Sequence, residues 1–294
     1  MECERWKDNL ALSEVRTALS SEHRRSACIR ENKMNPIPPT HHPDVNEILD
    51  LLLRDSQAIL KDQFVGMYLF GSLANGGFDK DSDIDILIVT KDEISEEAFS
   101  ALYAMHEKIS ALDSPWAIQL EVSYIPKAAL RRYDPMNNKH PHHDRGNGER
   151  LHVMQHDSDW IIQRFILRER GITIIGPTPK SLIDPVSSDD LKWAVVDILN
   201  SWIKGFLDDS SILESRGYQS YTVLTLCRIL HTYEYCVIVS KPVAAEWAKQ
   251  TLDKKWIPLI ERAWSGRQNP GIKSDLEDLN GTLDIIRYSL EKTK

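Results

Sequence analysis

Apolar residues fall at helical spacing between 43 and 60, where Val45, Ile48, Leu51, Leu52 and Ile59 share one stripe and predict a first helix. An apolar run at 65–70 follows as a strand, and Ile86-Leu87-Ile88-Val89 marks a second. The helical period returns over 95–112, with Ser95 placed to cap it and Phe99, Leu102, Met105, His106 and Ile109 along one face. Over 118–125, Ile118, Leu120, Val122 and Tyr124 alternate with Gln119, Glu121 and Ser123, which predicts a half-buried strand presenting Glu121 on its polar side. The stretch 131–156 is polar and reads as a loop. A helix is expected over 157–170, capped by Ser158 or Asp159 and stopped by Gly171, then a short strand Ile172-Thr173-Ile174-Ile175 closed by Gly176-Pro177. From Asp189 onward only helices are expected: Leu191, Ala194, Val195, Ile198, Leu199, Trp202, Ile203 and Phe206 form one long stripe, and further helices are expected at 221–239, 243–252 and from Leu276 to the end. Trp193, Trp202, Trp247 and Trp264 are assigned to the core of this bundle.

This order predicts an α+β protein. An α/β domain with a mixed sheet occupies 36–180, and a C-terminal α-helical bundle occupies 181–294. Residues 1–35 are rich in charge, lack a sustained period and run into Asn35-Pro36-Ile37-Pro38-Pro39, so they are expected to be disordered, with Met34 as an alternative start.

Composition narrows the function classes. A net charge of −8 argues against non-specific nucleic-acid binding and suits a cationic partner. The chain lacks an apolar stretch long enough for a membrane span, and its first 30 residues lack the apolar region of a signal peptide. Cys3, Cys28, Cys227 and Cys236 show no metal-binding or framework spacing, so free thiols in a reducing cytoplasm are expected.

The chemistry is concentrated in Leu-Phe-Gly-Ser at 69–72 and Ser-Asp-Ile-Asp at 82–85. Residues two apart on a strand share a face, so Asp83 and Asp85 project together while Ile84 and Ile86 turn to the core. Paired carboxylates repel unless a cation lies between them, and Mg²⁺ shared with substrate phosphates meets that need. Gly71 and Ser72 supply the complement, a backbone that phosphate can approach closely and a hydroxyl. The constellation resembles the nucleotidyltransferase superfamily. Glu121, on the next strand, is the third carboxylate, available as metal ligand or general base.

Val223-Leu224-Thr225-Leu226-Cys227-Arg228-Ile229 and Ser240-Lys241-Pro242-Val243-Ala244-Ala245-Glu246-Trp247-Ala248 sharpen this further. With the motifs above they resemble the aminoglycoside 3''/9-adenylyltransferases over roughly 45–290. The resemblance implies ATP- and Mg²⁺-dependent transfer of AMP to a hydroxyl of a spectinomycin- or streptomycin-type antibiotic. It also implies Asp83 and Asp85 as metal ligands, Glu121 as catalytic base, Gly71 and Ser72 at the nucleotide, and Arg228 and Lys241 on the ATP phosphates. In that family a Trp and two acids precede the Val-Leu-Thr-Leu helix and contribute to drug binding. Here Glu214 keeps one acid, Asp209 and Tyr218 replace the others, and Tyr221 follows. Glu214, Tyr218 and Tyr221 are therefore the candidate acceptor contacts.

Two other readings remain open at this level: a nucleotidyltransferase with a protein, RNA end or metabolite as acceptor, and a catalytically silent nucleotide-binding module. The intact Asp83, Asp85 and Glu121 set argues against the second, and the acidic balance argues against RNA. A small-molecule acceptor, a monomeric state and no membrane partner are expected. His140, His142, His143, His152 and His156 match no standard zinc spacing and are read as part of a solvated loop.

Overall fold

The computed structural model describes residues 38–74 and 82–294, and the expectation for 1–35 lies outside them. In chain order the elements are α1 (Pro43–Leu60), β1 (Phe64–Leu69), α2 (Gly71–Ala74), β2 (Ile84–Thr90), α3 (Glu96–Ser110), β3 (Leu120–Pro126), α4 (Lys127–Arg131), β4 (Lys139–His143), β5 (His152–Gln155), α5 (Asp159–Arg170), β6 (Ile172–Ile175), α6 (Pro179–Leu182), α7 (Ser188–Ser201), α8 (Arg216–Tyr235), α9 (Lys241–Thr251), α10 (Ile257–Gly266) and α11 (Leu276–Lys292). Local chemistry sets many of the boundaries. Ser95 accepts a hydrogen bond from the Ala98 N–H, and Ser187 with Asp190 forms a reciprocal capping box at the start of α7. Helix α8 ends earlier than the apolar pattern suggests, at Cys236, whose left-handed backbone closes the last turn.

Six strands form one mixed sheet in the order β5-β4-β3-β2-β1-β6. Strands β2 and β3 are parallel and joined through α3, while the other pairs are antiparallel. Alternation along the strands decides what each face holds. Ile84, Ile86, Ile88, Leu120, Val122 and Tyr124 pack with α1 and α3. Leu87, Val89 and Ile125, with Tyr68 and Phe70, pack on the opposite face against Trp160, Ile166 and Leu167 of α5 and Leu191 of α7. The sheet is therefore covered on both sides. A third core joins α7 to α11, and Ile162 of α5 packs against both it and the second sheet face. Arg164 fastens α5 beneath the sheet by donating to the carbonyls of Ala129, Leu130 and Trp160.

Three expectations are corrected. Residues 131–156 form no solvated loop: they contain β4 and β5, and His140, His142, His143 and His156 are buried. A neutral imidazole is a flat ring that stacks well. His143 lies on His106 at 4.3 Å between centroids, and His156 lies on Trp160 at 3.9 Å. Burial pushes the proton affinity of His140 down to about 4 and that of His156 down to about 2, so both rings are uncharged at neutral pH. Counting histidine as polar hides such a strand. The expected polar side of β3 is likewise covered, because Ser123 is buried with its hydroxyl 2.7 Å from His142 Nδ1.

The tryptophan assignment also fails in part. Trp247 packs against the helical core, but Trp193, Trp202 and Trp264 are 52%, 38% and 39% exposed. Helical period alone cannot tell a core position from the wall of a cleft. Among the described residues, no helix is long and apolar enough to cross a membrane.

Candidate active site

The parallel register sets Asp85 directly beside Glu121, and Asp83 precedes Asp85 by one pleat on the same face. One oxygen from each of the three carboxylates lies within 4.8 Å of the others. They stand on the sheet face that looks toward the helical part, where Leu87 and Val89 continue the same side as buried apolar residues.

Glycine at position 71 is a steric requirement. Its φ of +61° ends the first strand, and a Cβ there would stand 1.7 Å from Asp85 Oδ2. The Phe70 N–H donates to the Asp85 carbonyl at 3.1 Å, and the Ser72 N–H donates to the Asp85 carboxylate. The Ser72 hydroxyl is buried without a hydrogen-bond partner, which leaves it available to an incoming acceptor oxygen. Gly71→Ala is expected to destabilise the fold by about 1–3 kcal/mol through backbone strain. By displacing Asp85 it should also lower turnover about a hundredfold or more. Denaturant titration and steady-state kinetics on the same preparation check both effects.

Crowding of like charge shapes the electrostatics. Burial first, and the neighbouring Asp83 second, push the Asp85 carboxyl up to about 7, against the opposing pull of Lys241, the Ser72 N–H and Arg145. Glu121 is pushed up to about 8 by burial, then by Asp85, Asp83 and Asp144. Carboxyls with folded values above their unfolded ones contribute stability at low pH that is lost as pH rises through the folded values. The metal-free protein should therefore melt at progressively lower temperature between about pH 5 and pH 8. Lys241, brought down to about 8 by burial and by Arg228, works in the opposite sense above that pH. Thermal melts in chelator across this range check the slope, and Asp85→Asn should flatten it.

The helical part supplies the cations. Lys241, in the first turn of α9, acts electrostatically on Asp83 and Asp85, and Arg228 of α8 acts on Lys241. Lys241 Nζ stands 5.3 Å from the ring centroid of Tyr221, and the Nε of Arg228 is buried without a partner. Burial first holds the Tyr221 hydroxyl above its usual range, Arg228 opposes that shift, and Glu121 adds to it. Gly71, Ser72, Asp83, Asp85, Glu121, Tyr221, Arg228 and Lys241 thus come together. Glu214 and Tyr218 stand apart from that group: Glu214 pairs with Lys273 at 2.8 Å, and Tyr218 lies exposed a turn before Tyr221.

The comparisons with known proteins follow the same division. Residues 53–140 match the nucleotidyltransferase domain, and residues 181–287 match the aminoglycoside adenylyltransferase C-terminal domain. Spectinomycin 9-adenylyltransferase of Staphylococcus aureus is 30% identical over 71% of this chain and 81% of its own length. The chain belongs to the aminoglycoside adenylyltransferase family. The family's Campylobacter jejuni spectinomycin 9-adenylyltransferase is also 30% identical, over 74% of this chain and 82% of its own. The aminoglycoside (3'')(9) adenylyltransferase of Escherichia coli is 24% identical over 79% and 90%. A crystal structure of the spectinomycin adenyltransferase AAD(9) of Enterococcus, with ATP and spectinomycin, shares the fold, with a TM-score of 0.65 at 19% identity over 83% of this chain and 98% of that one. This family member is thus an enzyme of the nucleotidyltransferase class.

Sequence reasoning missed two residues at this adenylyltransferase site. Trp202, assigned to the core, stands edge-on to Tyr221 with centroids 5.9 Å apart. Arg145 stands 3.5 Å from Asp83 Oδ2, reached from the connection between β4 and β5. Its only signal was a charged residue in a segment read as loop.

Proposed function

We propose that this enzyme transfers AMP from ATP to a hydroxyl of an aminoglycoside-like antibiotic of the spectinomycin or streptomycin type, releasing pyrophosphate. The observation that carries this reading is the carboxylate trio Asp83, Asp85 and Glu121 facing Lys241 and Arg228 from the helical part. Three hard oxygen donors within 4.8 Å, two of them with raised proton affinity, fit a divalent cation such as Mg²⁺. Asp83 and Asp85 would hold it, and when bound it supplies positive charge to the phosphates. Residues 36–180 act as the catalytic domain and residues 181–294 as the helical domain that binds ATP and acceptor.

The protein's own groups do the remaining work. Gly71 and Ser72 receive phosphate oxygens, Lys241 and Arg228 grip the triphosphate from the other side, and charge-assisted bonds hold its α-phosphorus in line with the acceptor. Glu121 takes the proton of the acceptor hydroxyl as its oxygen attacks that phosphorus. The bond to the bridging oxygen breaks, and pyrophosphate leaves. Tyr221 and Trp202 give the acceptor an aromatic wall. Dependence on ATP suits a cytoplasmic enzyme.

A screen for pyrophosphate release from ATP and Mg²⁺ tests the reading, with spectinomycin, streptomycin, other aminoglycosides and tRNA as acceptors. Turnover with an aminoglycoside or spectinomycin and none with tRNA is expected. Turnover with tRNA alone would overturn the assigned acceptor.

A further inference from the structure

The connection between β4 and β5 brings Arg145 to the carboxylates, and it is built to hold its place. Asp144 faces His142 Nε2 at 3.3 Å and His152 Nε2 at 3.7 Å, so it ties the ends of both strands together. His142 is anchored in turn by Ser123 of β3. Gly146, with φ of +136°, donates its N–H to the Ile118 carbonyl at 2.8 Å and so fixes the tip to the start of β3. Between these two anchors lies Arg145, its side chain 47% exposed and its Nη1 3.5 Å from Asp83 Oδ2. Its charge also acts on Asp85, Glu121 and Lys241.

We infer that Arg145 is a two-position residue: it is the counter-ion of Asp83 in the metal-free enzyme, and it transfers to the nucleotide's phosphates once a divalent cation takes Asp83. The inference rests on the reading of this site as one for a divalent cation and ATP. Two features carry it. A guanidinium and a cation cannot both neutralise the same carboxylate oxygen, so each weakens the other's hold on Asp83. The Asp144 and Gly146 anchors hold the backbone on either side of Arg145, so its guanidinium needs only to turn: phosphates shared with a cation at Asp83 arrive beside it, and its planar fork suits their oxygens. Its half-exposed side chain leaves it free to turn. Arg145 would then complete the grip on the triphosphate from the sheet side, facing Lys241 and Arg228.

The test uses the full chain, with Mn²⁺ as probe followed by electron paramagnetic resonance, and a non-hydrolysable ATP analogue followed by calorimetry. Arg145→Ala is expected to bind Mn²⁺ alone about two- to fivefold more tightly than wild type, since a partly exposed competitor is gone. The same variant should bind the analogue with Mn²⁺ about tenfold or more weakly, through loss of charged hydrogen bonds. Arg145→Gln, which keeps the length of the side chain, should shift both constants in the same directions, and circular dichroism checks that each variant is folded. A purely structural role would weaken both affinities together, and that result overturns the inference. So does an unchanged affinity for either ligand. Wild-type protein that binds neither Mn²⁺ nor the analogue would instead overturn the reading of the site, and the inference with it.

Discussion

Asp85→Asn is expected to reduce adenylyl transfer by at least about a thousandfold while raising the melting temperature of the metal-free protein at pH 8. The first effect follows from the proposed metal site: a neutral amide is a poor partner for a hard divalent cation, and several kcal/mol of transition-state stabilisation go with it. The second follows from the resting site. Asp85 carries a charge that burial and Asp83 both oppose, so removing it relieves repulsion that the folded state alone suffers. A variant that is both inactive and more stable separates a functional carboxylate from a structural one, since a structural residue would lose both. Turnover at saturating Mg²⁺, with calorimetric melts in chelator, checks the pair. Wild-type turnover would sink the assignment of Asp85 as metal ligand.

Glu121→Gln is expected to lower the rate of the chemical step by about 10²–10⁴ while changing the affinity for the Mg²⁺–nucleotide complex by less than about threefold, because a general base acts on the acceptor's proton in the transition state. The register that sets Glu121 beside Asp85 also places it within reach of Asp83 and Asp85, the proposed metal ligands. The decisive quantity is therefore the split between the two losses. Single-turnover kinetics and calorimetry on one preparation measure it, and nucleotide affinity lost in step with rate would make Glu121 a metal ligand instead. The limb of the pH–rate profile that belongs to the base should vanish in the glutamine variant.

Much of this site is legible in the sequence, because its central residues obey local rules. Asp83 and Asp85 share a face through strand period, Gly71 announces a backbone that no other residue fits, and Glu121 stands out as an acid within an alternating strand. The pairing of Asp85 with Glu121 is legible only in outline, since parallel register depends on how α3 returns the chain. Arg228 and Lys241 carried no local signal and stood out only through resemblance. Trp202 was misplaced because a helical stripe looks the same whether it faces a core or a cleft. The histidine-rich strands were missed for a chemical reason: burial strips imidazole of its charge and makes it an apolar ring, and no count of polar residues shows that. Arg145 went with them, since without the hairpin nothing brings it to Asp83.

One small packing detail sets how this enzyme can move. Ile162 belongs to both the sheet-side core and the helical core, and Arg170, from the same helix, reaches the Ile238 carbonyl at 2.7 Å. A side chain shared by two cores acts as a rivet rather than a hinge pin, because rotating one body about it would open a void in both. Any swing of the helical part against the sheet must therefore repack Ile162 in both cores and break the Arg170 bond. If that cost keeps the two parts still, acceptor selection would work as a gauge on size and shape, with little binding energy diverted into closing the protein around its guests.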